Sequence, residues 1–487
     1  MGEVNTNDTT FTYSVEDSAG DPSSTWRTIV LTNPTSFGAQ LTTAESRPIS
    51  KNRGRNKGAV VDLDSTVGFE ADLTLQHLHD FAPRFLRANW RGAYQFDAVS
   101  VSATQYTVVS QSVTLPTNSL VRGKGFVNSE NNIVGVVTAA TATTITVSGL
   151  AAEASAPTNA VVEYAGHRGA VGDIGMNASG HLTSSSLDFT TLPLVVGMWI
   201  VTGGDAAGNR FATEANNGRH RIRSISANLL ELEFHENTPV ADAGAGQQID
   251  IWIPRHGAQV PVDDADYLSE AVQVEFAAPG LGPSDEEMYL YSLGNNANTM
   301  TFSFQGQSLA TATMEFIGKD TENPTTTRKT GAATPIEALQ TAVFNTSSDF
   351  VRLRVQDLDE TGSFTAFKDV EFTLTNNVSP RKCLGVLGAA GTNIGIMTID
   401  GSGSVTFDSQ EIITWIRDNE SLSMDFALRN DDGGFILDMP SLTLGGGDLD
   451  LPADETVTAS VELAGYNHPT LNTSLIIDVF SYYPSGT

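Results

Sequence analysis

The feature that most constrains this chain is that it repeats itself. Residues 310–318, Ala-Thr-Ala-Thr-Met-Glu-Phe-Ile-Gly, lie over residues 457–465, Val-Thr-Ala-Ser-Val-Glu-Leu-Ala-Gly, at a constant offset of 147, with apolar, hydroxyl and Glu positions in phase. Upstream of the first copy, Val60–Asp64 leads through a turn to Val67–Ala71 and then a helical stretch. Upstream of the second, Ile396–Asp400 leads through Gly401-Ser402-Gly403 to Val405–Phe407 and another helical stretch. Each half therefore reads as a hairpin, a helix and a further antiparallel pair, so two like domains are expected at the two ends of the chain.

The middle carries a different and weaker repeat. Leu120–Gly123 resembles Leu194–Gly197; Asn131-Asn132 matches Asn216-Asn217 at an offset of 85, and Ile145–Val147 matches Leu230–Leu232 at that same offset. The expected layout is domain A over 1–92 plus 263–320, inserted β modules over 93–166 and 167–262, a linker over 321–334, and domain B over 335–487. An insertion at a loop leaves its host sheet intact because the loop ends are close in space.

Nearly every segment alternates Val, Ile, Thr or Phe with polar residues and is punctuated by Gly, Asn and Asp, which is the pattern of strands and turns. Helical periodicity is confined to Leu75–Leu86, with Leu75, Leu78, Phe81 and Phe85 on one face and Pro83 expected to kink it, and to Glu411–Arg417, entered by Asp408. The fold class is mainly β.

Charge narrows the function. The 27 Lys+Arg against 57 Asp+Glu give a formal net charge of −30, the reverse of the basic surface that neutralises phosphates or adheres to anionic membranes. Cys383 is the only cysteine, so an intrachain disulfide and a thiolate cluster are excluded, and a small buried hydrophobe is the expected role. Neither a signal peptide nor a membrane span is visible, and synthesis in a cytoplasm is expected. The match of Gly2 and Thr6 to an acylation pattern is read as chance.

No reaction centre emerges. Gly385–Gly391 imitates a phosphate-binding loop but leads into a strand, Ile394–Ile399, where a helix is required. Asp357–Gly362 starts like a calcium loop, yet Lys368 stands where its bidentate Glu belongs. Asn430–Gly434 is turn chemistry. His77 and His79 point apart on a helix, and Asp263-Asp264 is an ordinary pair in so acidic a chain. Catalytic residues, metal ligands and cofactors are all read as none.

Taken in order, Phe11–Glu16, Asp21-Pro22, Trp26–Ile29, Ile49–Arg55, Gly294–Phe302 and Glu371–Asn377, together with the duplication, resemble the major tail tube proteins of siphophages, in the branch with duplicated tube domains. The resemblance implies two tandem β-sandwich or half-barrel tube domains, each with a short helix, and two small inserted all-β modules as outer decorations. It implies a subunit of stacked rings whose inner wall is a continuous β-barrel, with self-association as homotrimeric, pseudo-hexameric rings. The partners it implies are tail tip or baseplate, tail terminator and tape measure proteins, and double-stranded DNA passing without sequence recognition; the place is a virion tail.

Under that reading the wall should be acidic or neutral, because lysine or arginine there would capture phosphates. The candidates are Glu315, Glu462, Asp62, Asp64, Glu70, Asp72, Asp400 and Asp408. The basic stretch Arg47, Lys51, Arg53, Arg55 and Lys57 is the candidate contact between rings, set against the acidic face of the next ring. The competing readings are a glycan-binding adhesin using Trp199, Trp252 and His220, and a β-rich hydrolase using carboxylates.

Overall fold

A computed structural model describes residues 5–18, 20–46, 49, 54, 56–92, 94–358, 363–364, 367–406, 410–451 and 456–485. The strands that matter below are β1 (Asn33–Ala44), β2 (Ala59–Asp72), β3 (Met288–Gln305), β4 (Thr311–Gly318), β5 (Phe367–Thr375), β6 (Thr398–Thr406), β7 (Leu422–Asn430), β8 (Gly433–Asp450), β9 (Thr458–Gly465) and β10 (Ile476–Phe480), with helices α1 (Leu75–Leu86) and α2 (Glu411–Asp418).

Eight of these strands form one antiparallel sheet in the order β1-β2-β4-β3-β5-β6-β9-β8. The order is two copies of one four-stranded unit set side by side. The repeated segments are β4 and β9, each third in its unit, and the long strands β3 and β8 close the units. β3 and β8 are each 18 residues long. Their first halves leave the shared sheet and pair in a second layer, β3 with Val272–Ala278 and β8 with β7 and β10.

Between the layers lies the main core. Alternation along the strands sends Val67, Phe69, Met314, Phe316, Met300, Phe302, Phe304, Phe372, Leu374 and Leu463 into it. Helix α1 fills the end of this core through Phe81 and Phe85, whose rings meet Phe316 at 6.1 and 5.2 Å. Thr74 caps α1 and His77 completes the reciprocal capping box. The helix runs through Pro83. The carbonyl of His79, which a proline four residues on cannot serve, accepts instead from the Trp90 indole at 3.1 Å.

Two expectations about local structure are corrected. Neither Val60–Ala71 nor Ile396–Phe407 is a hairpin. Each is crossed by a single unbroken strand, β2 or β6; β2 has a partner on both sides over Ser65–Glu70, and β6 over most of its length. Gly401 and Gly403 are small because the neighbouring strand is close: a Cβ at either would meet the carbonyl oxygen of Glu371 or Asp369 at 2.9 Å. Cys383 is exposed rather than buried, in the segment between the short strands Ser379–Arg381 and Gly391–Asn393.

The inserted region forms its own 13-stranded sheet and its own core. Its internal repeat is visible as a duplicated side-chain clamp. The amide of Asn132 bonds the backbone N–H and carbonyl of Phe126 at 2.9 and 2.9 Å, and that of Asn217 bonds those of Phe211 at 2.9 and 3.0 Å. The two repeats share the one sheet, and the strand Val161–Arg168 passes from the first to the second. The connection 321–334 is pinned to the strand Val272–Ala278: Arg328 is bonded to Glu275 at 2.6 Å, and Lys329 donates to Gln273 at 2.8 Å.

Candidate functional site

The eight-stranded sheet has one face on the core, and the opposite face is open. Because every neighbour is in antiparallel register, the polar positions of successive strands line up across it. Gly68 stands opposite Glu315, Glu315 opposite Thr299, Thr299 opposite Thr375, and Thr375 opposite Thr398. In the second unit Glu371 stands opposite Ser402, and Ser402 opposite Glu462. Hydroxyls dominate the middle of this face. Thr301 and Thr373 bond each other through their side chains at 3.0 Å across the seam between the two units.

Glu315, Glu462 and Asp400 are exposed on this face, and Glu70 and Asp72 are half-buried on it. Asp62 and Asp64 share it by parity, at the end of β2 that projects past β4. Their charge is not free. Lys382 bridges them, with Nζ at 2.7 Å from Asp62 and 2.8 Å from Asp64, and its hydrogen bond holds the Asp62 carboxyl below the ordinary carboxylate range. Asp408 lies outside the described residues, as do Arg47, Lys51, Arg53 and Arg55; Lys57 is exposed at the foot of β2.

Sequence reasoning missed Asp369 and Glu371, which share the face on β5. Asp369 accepts from the Ser404 N–H at 3.1 Å. The signal was present as Asp369-Val-Glu371-Phe-Thr373-Leu-Thr375, polar at every second place. Among the described strand positions of that parity none is Lys or Arg. Among the described residues, Lys382 lies beside one end of the face and Lys368 beside the other.

Both outer edges of the sheet are open among the described residues. β1 pairs with β2 alone. Beyond Leu442, β8 pairs with β9 alone, and α2 packs beneath it with the Ile416 side chain near Gly447. Unpaired N–H and C=O groups along such edges are a template for another strand.

The surface suspected of binding glycans is closed. Trp199, Trp252 and His220 are all buried. Trp199 donates its indole N–H to Asp438 at 2.8 Å and its backbone N–H to Asp478 at 2.7 Å, and Arg221 reaches Asp438 at 3.0 Å. These bonds, with Phe480, Tyr483 and Ile436 around them, fasten the inserted region to β8 and β10. Burial lifts the Asp438 carboxyl to about 6 against the pull of Arg221. His220 is paired with His235 at 2.9 Å and with Thr202 at 3.0 Å, and burial presses it down to about 3.

No described helix is long and apolar enough to cross a membrane. No curated protein matches the chain. The phage tail tube protein family matches residues 163–465, more than half of the 487 residues. The chain therefore belongs to the phage tail tube protein family, and it is a non-enzymatic structural component of a virion tail that assembles with its own kind and with other tail proteins.

Proposed function

We propose that the protein is the major tail tube subunit of a siphophage, closing as three copies into rings that stack helically into a hollow conduit for double-stranded DNA. The observation that carries this reading is the tandem sheet, which has one face on the core, one face of hydroxyls and carboxylates, and two open edges. Closing such sheets edge to edge removes every edge, as a barrel does. Two tube units in each chain make three chains equivalent to six units. The open face then lines the bore, with Glu315, Glu462, Asp400, Glu70, Asp72 and Glu371 facing it. A wall without cations along its middle gives phosphates nothing to exchange counterions with, so DNA slides instead of binding. During assembly the same bore holds a tape measure protein, and tip and terminator proteins close its ends.

Electron microscopy of the purified protein tests the reading. Rings or tubes with three chains per ring are expected, and a reconstruction should place Glu315 and Glu462 on the inner wall. Particles that stay monomeric at high concentration, or six whole chains per ring, would overturn the stoichiometry or the tube itself. Both side chains pointing outward would overturn the wall assignment.

A further inference from the structure

We infer that the edge of β8 pairs with β1 of the next copy in one specific register, with Asp450 opposite Ser36, Leu449 opposite Phe37 and Gly445 opposite Gln40. This rests on the tube reading above and adds to it the residues of the ring-closing seam.

The register follows from the seam that the chain already contains. Within one molecule the two units meet where β3 pairs with β5, and there Thr299 faces Thr375, Phe302 faces Phe372 and Ser303 faces Glu371. The equivalent positions can be read through the duplicated strand. Glu315 of β4 faces Thr299, and its counterpart Glu462 of β9 faces Gly445. Ala312 and Thr311 face Phe302 and Ser303, while Ala459 and Thr458 face Leu449 and Asp450. Hence Gly445, Leu449 and Asp450 stand where Thr299, Phe302 and Ser303 stand in the first unit.

The other side maps in the same way. Glu315 and Glu462 face Gly68 of β2 and Ser402 of β6, so those two are equivalent. Their outer partners are Ser36 and Glu371. One place along, Val67 faces Phe37 and Gly401 faces Phe372; four places back, Asp64 faces Gln40 and Thr398 faces Thr375. Replacing each member of the internal seam by its counterpart gives the three pairs above.

Two independent features fit this seam. Phe302, covered by β5, is 1% exposed, whereas its counterpart Leu449 is 44% exposed, as an apolar residue is when the strand that should cover it belongs to another molecule. The pairing of β8 with β9 also shifts between Gly446 and Leu449, which places one additional residue of β8 opposite Gly38. Gly38 has a φ of +131° and nothing within 4 Å of where a Cβ would stand, so the edge has room for the bulge there. The contact is heterologous, and repeating it by rotation closes a ring.

The test is cysteine pairing in assembled tubes, in a Cys383→Ser background because Cys383 is exposed. Directly opposed strand residues lie within disulfide reach, about 4.5–5.5 Å between Cα atoms, and residues four places away do not. Ser36→Cys with Asp450→Cys should link chains into covalent trimers under mild oxidation, while Gln40→Cys with Asp450→Cys should not. Should the paired cysteines impair assembly, Leu449→Cys alone gives a second measurement: rapid maleimide labelling of the free subunit, lost in the tube. Tubes that link 40 to 450 but not 36 to 450 overturn the register, and tubes that leave Leu449→Cys fully reactive overturn the seam. If the Cys383→Ser protein forms no tubes at all, it is the tube reading that fails.

Discussion

At the scale of single residues, burial and charge are in tension, and Glu163 shows the balance. It is buried between Arg255, at 2.5 Å, and Lys124, at 3.1 Å. Burial alone would raise its carboxyl, but the two cations hold it down at about 2, below its ordinary 4.5. A carboxylate whose pKa is depressed by folding stabilises the fold above its unfolded value, and that stability is lost as pH falls through the folded value. Glu163→Gln should therefore cost about 3–5 kcal/mol at neutral pH, since two buried cations lose their partner. The penalty should shrink between pH 4.5 and about 2. Denaturant unfolding of both proteins across that range checks it, and a penalty independent of pH would show that the loss is one of packing. Lys382 illustrates the opposite case, a half-exposed cation whose bridge to Asp62 and Asp64 matters more for where charge lies than for stability.

At the scale of elements, the strands are longer than their sequences suggest, because what decides a strand's length is its neighbours. Ser65-Thr66 and Gly401-Ser402-Gly403 look like turns in isolation. Each sits between two partner strands whose N–H and C=O groups hold it extended, and an unpaired buried backbone group would cost more than any local turn preference gains. Gly401 tests this account. Gly401→Val supplies a residue that favours strands, yet its Cβ would meet the Glu371 carbonyl at 2.9 Å, the Phe372 ring at 3.0 Å and Leu463 at 3.1 Å. Thermal melts should show a loss of about 1–3 kcal/mol from overpacking. A stabilised variant would mean that the glycine serves a turn after all.

At the scale of the whole molecule, a formal charge of −30 makes every copy repel every other, so assembly must set local attraction against a long-range penalty. That repulsion is screened beyond about 8–10 Å at physiological ionic strength, so it opposes assembly chiefly where surfaces come close. The concentrated basic stretch, of which Lys57 alone is described, is our proposed exception: Arg47, Lys51, Arg53, Arg55 and Lys57 set against the acidic face of the next ring. Each exposed pair contributes only about 0.2–1 kcal/mol, but a ring repeats it. Charge reversal at Arg47, Arg53 and Arg55 should yield closed rings that do not elongate. Tubes of undiminished length in electron micrographs would sink the proposal.

The sequence by itself determined the β class, the duplication, both helices, and the alternation that separates a polar from an apolar side of each strand. These are legible because they depend on spacing: period two along Thr311–Gly318, period 3.6 along Leu75–Leu86, and an offset of 147 between copies. Only the tertiary structure decided which strands are neighbours, and with that nearly everything functional. It brought Lys382 to Asp62 and Asp64 across more than 300 positions of sequence, and it buried Trp199, Trp252 and His220. By setting the two units edge to edge it left β1 and β8 open at the rims. Pairing between distant segments follows from which apolar faces meet and which loops can close. A single strand, read alone, carries the face it will present but not the partner it will present it beside.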